Sequence, residues 1–140
     1  MYDKILVPTD NSDPSRRAIE HAVHAASQSG SELHGLFVTD SGTVENLAGR
    51  YPQQEDALTA IGEDALEHVK AAGEDHGVSV KTEIVSGVAH EEIINYAEEN
   101  DIDVIIMGTH GRRGIERVLM GSVTERVIKT ADIPVMVIGD

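Results

Sequence analysis

Apolar, strand-like runs alternate with stretches of helical periodicity along the chain, and this alternation constrains the fold more than any other feature. Val104–Met107 is apolar at four successive positions, which is typical of a strand covered on both faces of a sheet. Strands that alternate with helices are joined by right-handed crossovers, so the pattern predicts a doubly wound parallel α/β sheet. The predicted strands are Lys4–Pro8, Glu32–Val38, Val78–Ile84, Asp103–Met107 and Pro134–Ile138.

Local signals mark where the helices start and stop. Asn11, Ser12 and Asp13 are good N-cap residues, Pro14 suits a first helical turn, and Gly30 ends that helix. Residues 39–51 are rich in Ser, Gly and Asn and predict a loop. Three further helices are indicated by an apolar stripe from Ala57 to Ala72 that Gly73–Gly77 ends, by Ile93, Ile94 and Ala97, and by the amphipathic run Val123–Ala131.

A glycine pattern follows the fourth predicted strand: Gly108, Gly111 and, after nine intervening residues, Gly121-Ser122. Ser122 and Glu125 have the spacing of a capping box, which predicts a helix N-terminus at Ser122. The first amides of a helix lack internal partners and attract anions, and glycine permits close approach of a phosphate. The pattern therefore predicts a phosphate-binding site.

The charge distribution supports an anion site at this segment. The chain has 11 Lys and Arg against 25 Asp and Glu, for a net charge of −14. Residues 108–130 reverse this balance and would steer an anionic ligand. The alternative is that these cations only form a solvated loop and an outer helix face. The basic residues of this segment are Arg112, Arg113, Arg117, Arg126 and Lys129.

Composition limits the class of protein. A length of 140 residues predicts one domain, residues 1–140, and the absence of cysteine excludes thiolate chemistry. We find no apolar run of about 20 residues and no leader pattern, so we expect a cytoplasmic protein with no membrane partner. The acidity argues against nucleic acid as a partner. It also suggests a salt-rich, halophilic cytoplasm, with an ordinary acidic protein as the alternative.

Three stretches together resemble the universal stress protein family, in the subgroup that binds ATP. They are Lys4–Asp10, the Gly108 to Ser122 glycine pattern, and Ile133–Ile138. The resemblance covers essentially the whole chain. It implies a Rossmann-like fold of the adenine nucleotide α-hydrolase-like type, with five parallel strands in the order 3-2-1-4-5. It also implies that the cofactor is ATP or another adenine nucleotide, such as AMP or a cyclic form.

The same resemblance implies a role for each matching position. Pro8, Thr9 and Asp10 would border the adenine and ribose, and Val38 would touch the adenine. His110 lies inside the motif without an assigned role. The remaining implied contacts are Met107 and Gly108 beside the ribose, and Gly111, Gly121, Ser122, Val123 and Thr124 at the phosphates.

Several of these residues also have purely structural interpretations. Asp10 could accept hydrogen bonds from hydroxyls or help hold Mg²⁺, or it could cap the following helix. Ser122 and Thr124 could offer hydroxyls to phosphate or serve only as caps. Met107 could be a core residue.

We assign no catalytic residue from the sequence. Neither a P-loop nor a nucleophile elbow is present, and nothing places a base beside Ser122, so a triad with His110 and Asp10 is unsupported. Slow Mg²⁺-dependent nucleotide hydrolysis remains an alternative. His21 and His24 have no third ligand and are interpreted as exposed helix residues.

In the strand order that the resemblance implies, the last predicted strand, Pro134–Ile138, would lie at a sheet edge. A bare apolar edge invites pairing, and the resemblance implies a homodimer through residues 134–138. A dimeric interaction protein that works without nucleotide is a further alternative.

Overall fold

A computed structural model describes residues 2–40, 52–109 and 121–139. Within these residues, five parallel strands form one sheet in the order β3-β2-β1-β4-β5, which confirms the expected architecture. The strands are β1 (Lys4–Pro8), β2 (Glu32–Asp40), β3 (Val80–Gly87), β4 (Val104–Gly108) and β5 (Val135–Ile138). The helices are α1 (Asp13–Ser29), α2 (Pro52–Asp75), α3 (Ala89–Glu99) and α4 (Ser122–Thr130).

Several element boundaries differ from the sequence predictions. Thr39 and Asp40 extend β2 instead of opening a loop, because β2 stays paired with β3 as far as Asp40 and Gly87. The rest of the predicted loop, 41–51, lies outside the described residues. Strand β3 spans Val80–Gly87 instead of the predicted Val78–Ile84. Helix α2 ends at Asp75, within the predicted Gly73–Gly77 stop. For β2 the local change to polar residues suggested a loop, and tertiary pairing overrides that signal.

The alternation of side chains along the strands divides the core between the two faces of the sheet. Ile5 and Val7 of β1 pack with α1 and α2, whereas Leu6 packs with α3 and α4. In β4, Val104 and Ile106 face the first layer, and Ile105 and Met107 face the second. Both faces are therefore covered by helices, which explains the continuous apolar runs in the sequence.

Helix α1 begins and ends as its local sequence predicts. The Ser12 side chain accepts a hydrogen bond from the Ser15 amide, and Pro14 occupies the first turn. Gly30 ends the helix with φ of +70°, a left-handed conformation that glycine adopts without strain. This start places the N-terminus of α1 beside the end of β1.

The direction of winding reverses between β1 and β4. From β1 the chain crosses through α1 to β2 on one side, and from β3 it returns through α3 to β4 on the other. Ligands of such sheets bind beyond the carboxyl ends of the strands at this reversal. Among the described residues, no helix combines the length and apolarity needed to cross a membrane.

Candidate functional site

The turn after β1 is held tightly at the point where the winding reverses. The Thr9 amide donates to the Leu36 carbonyl at 2.9 Å, which ties the turn to β2. The buried Thr9 hydroxyl donates to Ser15 Oγ at 3.1 Å and accepts from the Asn11 amide at 3.3 Å. Thr9 is therefore fixed by its hydrogen bonds to α1 and β2, and it holds the turn between β1 and α1 in place.

Asp10 follows Thr9 in this turn and is half-buried. Its Oδ1 accepts a hydrogen bond from the Ser12 amide at 3.1 Å, just before α1 begins. The side chain that caps α1 is Ser12, so Asp10 supports the turn before the helix instead of capping it. Asn11 adopts φ of +67°, a left-handed conformation that Asn tolerates, and this lets the chain reverse into α1.

Gly108 ends β4 against the first turn of α1. A Cβ built at Gly108 would lie 2.8 Å from the carbonyl carbon and the Cβ of Pro14. Glycine is therefore required here by the close approach of β4 to α1. The carbonyl of Gly108 accepts a hydrogen bond from Thr124 Oγ1 at 2.9 Å, and Thr124 is only 3% exposed. This hydrogen bond links α4 to β4 and uses the one proton of the Thr124 hydroxyl.

Thr109 and Gly121 bring the two ends of the glycine pattern together. The Gly121 amide donates to the Thr109 carbonyl at 2.6 Å, and the Thr109 amide donates to the Ile138 carbonyl of β5 at 3.0 Å. These bonds place the start of α4 directly over the end of β4. They also explain why the helix starts at Ser122, as predicted.

The predicted capping box is wrong. Gly121, with φ of −65° and ψ of 155°, is the N-cap residue, and no side chain caps the helix among the described residues. Ser122 is exposed in the first helical position, and the Glu125 carboxylate accepts a hydrogen bond from Lys129 at 2.8 Å. The bond between Gly121 and Thr109 shifts the cap by one residue. The first amides of α4 therefore lack the side-chain partner that α1 receives from Ser12.

The apolar residues of the predicted site lie in or against the core of the sheet. Met107 is 5% exposed and packs in the cluster on the α3 and α4 side. Val38 and Val123 are half-buried against the same cluster. Pro8 is buried at the end of β1. A core role for Met107 is therefore observed, and Val38 and Val123 keep part of their surface accessible.

The described part of the site brings together Pro8 at the end of β1, Thr9 and Asp10 in the turn after it, Gly108 at the end of β4, and the start of α4. His110 and Gly111 lie outside the described residues, as do Arg112, Arg113 and Arg117. The contribution of that segment to the site therefore stays a prediction.

The two basic residues of α4 lie on its outer face. Arg126 and Lys129 are both exposed. The hydrogen bond from Lys129 holds the pKa of Glu125 below its usual value. Lys129 is thus partly neutralised by Glu125.

Three residues that connect the ends of β1 and β4 to their neighbouring elements were not identified as such from the sequence. Thr109 bonds both to Gly121 and to Ile138, Ser15 bonds to Thr9, and Pro14 packs on Gly108. Thr109 occupies an unspecified position of the glycine pattern, and its bonds to Gly121 and Ile138 are made by backbone atoms. No side-chain signal could have identified it.

His21 and His24 are exposed on α1, as expected. Over residues 2–40, 52–109 and 121–139, no group of three His, Cys, Asp or Glu side chains is placed to hold a metal ion. Asp10 is a carboxylate that follows the end of β1, at the reversal. One carboxylate fits a Mg²⁺ ion whose other ligands are phosphates and water.

A doubly wound parallel sheet whose helix N-terminus opens at the point of reversal defines a Rossmann-like α/β protein. The model of the Universal stress protein family matches residues 1–139, and the chain belongs to that family. Universal stress protein MJ0531 of Methanocaldococcus jannaschii is 41% identical over 140 residues, covering 99% of this chain and 82% of that protein.

Two solved structures extend the comparison. That of protein MJ0577, also from Methanocaldococcus jannaschii, superimposes with a TM-score of 0.87 at 38% identity and covers 99% of this chain and 96% of its own. A universal stress protein solved in complex with cAMP has a TM-score of 0.70 at 25% identity and covers 99% and 97%. The second structure is of a family member with an adenine nucleotide bound.

Proposed function

We propose that this universal stress protein binds ATP, or another adenine nucleotide, at the carboxyl edge where β1 and β4 end. The observation that carries the proposal is the start of α4. The bond between Gly121 and Thr109 holds the helix N-terminus over the end of β4, and no described side chain caps its first amides. Those amides and the positive end of the helix dipole are suited to a phosphate group.

The remaining predicted contacts fit around that anchor. In this proposal Asp10 would lie near the ribose, where it would accept hydrogen bonds from hydroxyls or help hold Mg²⁺. Pro8 and Thr9, at the end of β1, and Val38, on β2, would border the base. The relative solved with cAMP supports an adenine nucleotide as the ligand class. In this proposal His110 and Gly111 complete the phosphate site.

Isothermal titration calorimetry with ATP and Mg²⁺ tests this proposal, with AMP and cAMP as competing ligands. In the variant Gly121→Val, the added side chain would fill the phosphate position and abolish binding while the fold stays intact. Ser122→Ala is the matched variant, because it removes a hydroxyl and leaves the amides, so most of the affinity should remain. Unchanged ATP affinity in Gly121→Val would show that the phosphates bind elsewhere.

Nucleotide turnover separates a regulatory binding protein from an enzyme. We propose a regulatory stress-response role in which nucleotide binding changes the shape of the protein or its partner. Release of many equivalents of phosphate per hour would instead indicate the alternative, a Mg²⁺-dependent hydrolase. Mass analysis of any small molecule released on denaturation would identify the natural ligand.

We also propose a homodimer through β5. This strand is paired with β4 on one side and lies at the end of the sheet order. Met136 on this strand is 46% exposed, a large fraction for an apolar side chain. Pairing of two copies about a two-fold axis would cover this edge. Light scattering coupled to size-exclusion chromatography at micromolar concentration should give a dimer, and a monomer would overturn this part of the proposal.

A further inference from the structure

A cleft of about 210 Å³ opens between the C-terminal ends of α3 and α4. It lies toward the amino ends of the strands, whereas the proposed nucleotide site lies at their carboxyl ends. Ile105, which lines the cleft, precedes Gly108 by three positions, or roughly 10 Å along the strand. Most of its lining is apolar. The apolar lining residues are Ile94, Ala97, Ile102, Ile105, Ala131 and Ile133.

Three carboxylates complete the lining: Glu98, Asp101 and Asp132. All three are exposed, and in the described ranges none of them has a hydrogen-bond or ion-pair partner. The cleft therefore joins an apolar floor to an unneutralised negative rim. Its charge is complementary to a cation that also carries an apolar body.

The ends of two helices strengthen this negative potential. Both α3 and α4 direct their C-termini, the negative ends of their dipoles, toward the cleft. The last turn of α3 contains no basic residue, and Lys129 of α4 is bonded to Glu125. Lys4 donates to the Asn100 carbonyl at 3.2 Å, which satisfies one carbonyl at the end of α3, but Lys4 does not line the cleft.

The size of the cleft restricts what can occupy it. Sites for drug-sized ligands span about 300–1,000 Å³, so this cleft suits something smaller, on the scale of one long side chain. The apolar stem of an Arg or Lys side chain packs on apolar surface while its charged end reaches polar groups. Arg fits best, because its planar guanidinium can pair with several carboxylates at once.

We propose that this cleft binds an arginine side chain presented by a partner protein. Exposed carboxylates attract a free small cation only weakly, so a lone cation would gain little here. A protein segment adds contact area around its arginine. Ile128, which is 41% exposed in the last turns of α4, precedes the lining residue Ala131 by three positions and would offer an apolar surface to such a segment.

Methyl NMR on the full chain, labelled at isoleucine, tests this assignment at constant low salt. The probe is the capped tripeptide acetyl-Leu-Arg-Leu-amide, and its matched control has citrulline, which is uncharged, in place of arginine. We expect saturable shifts at Ile102, Ile105 and Ile133 with the arginine peptide alone. Ile5 and Ile19, on the other face of the sheet, should not move.

Charge variants locate the binding. The double variant Glu98→Gln with Asp132→Asn should weaken peptide binding about tenfold, since each exposed ion pair contributes roughly threefold. Glu63→Gln with Glu67→Gln removes the same charge from the exposed face of α2 and should change affinity by less than about twofold.

Three outcomes would overturn the assignment. Equal binding of the arginine and citrulline peptides would show that charge plays no part. The absence of saturable shifts at the cleft isoleucines would show that it does not bind the side chain. Saturable binding of butylguanidinium without binding of the peptide would identify a site for free organic cations instead.

Discussion

Nδ1 of His34 lies 2.7 Å from the hydroxyl of Tyr96, which joins the first part of β2 to α3 inside the core. Nε2 of the same ring lies 2.7 Å from the Glu32 carboxylate. An ionised carboxylate can only accept, so Nε2 donates to Glu32, and in the tautomer that carries its proton there Nδ1 accepts from the tyrosine hydroxyl. His34 is 2% exposed, and this arrangement satisfies both of its nitrogens without water.

Replacing Tyr96 by Phe should lower the free energy of unfolding by about 1–3 kcal/mol, because it leaves the buried Nδ1 of His34 without a donor. Urea denaturation measures this change. Tyr2→Phe is the matched control, since Tyr2 packs against the other core cluster and its hydroxyl has no hydrogen bond among the described residues. Equal effects of the two substitutions would contradict a specific role for the His34 contact.

The same network predicts an acid-sensitive contribution to stability. The hydrogen bond with His34 holds the pKa of Glu32 below 4.5, and nearby Lys81 and Lys4 act in the same direction against the effect of burial. A lowered pKa in the folded state stabilises the protein above pH 4.5, and this contribution is lost as the pH falls through the folded-state value. Glu32→Gln should therefore flatten the dependence of stability on pH below 4.5, as measured by denaturation at a series of pH values. An unchanged slope would argue against this linkage.

Tyr96 makes a contribution to stability that is sensitive to alkaline pH. Burial raises the pKa of Tyr96 above 10.0, and the charges of Glu83 and Glu32 add to this effect. The resulting stabilisation is complete below pH 10.0 and is lost as the pH rises through the folded-state pKa. Spectroscopic titration of tyrosinate should show one tyrosine ionising later than the others in the wild type and no such component in Tyr96→Phe.

Gly108→Ala should destabilise the fold by about 1–3 kcal/mol, because its Cβ would press on the backbone of Pro14, which α1 holds in place. Gly139→Ala is the control, since its nearest contact would be the Thr109 Cγ2 at an ordinary 3.8 Å. Chemical denaturation of both variants gives the comparison. A neutral effect at Gly108 would mean that β4 and α1 can separate at little cost.

The acidic surface predicts stabilisation by salt. The thermal midpoint should rise from low to molar salt, as the Debye length falls to about 3 Å and the carboxylates repel one another less. Differential scanning calorimetry over this range is the test, and a flat response would remove the proposed adaptation to a salt-rich cytoplasm. Exposed carboxylates that would contribute are Glu63, Asp64, Glu67, Glu74, Asp75, Glu91, Glu98 and Glu99.

Much of the fold was predictable from the sequence because its signals are local. The cap of α1 needs only Ser12 and Pro14, and Gly30 ends that helix through its own conformational freedom. Alternating apolar runs are likewise visible within a few residues. These signals determined the order of strands and helices and placed the glycine pattern at the end of β4.

Tertiary structure decided what depends on distant residues. The partner of His34 is 62 positions away in Tyr96, and no spacing rule connects them. The cap of α4 moved from Ser122 to Gly121 because the carbonyl of Thr109, a distant backbone group, fixed the glycine. Periodicity and capping act over about four residues, whereas these contacts form only when the folded sheet brings separate strands and helices together.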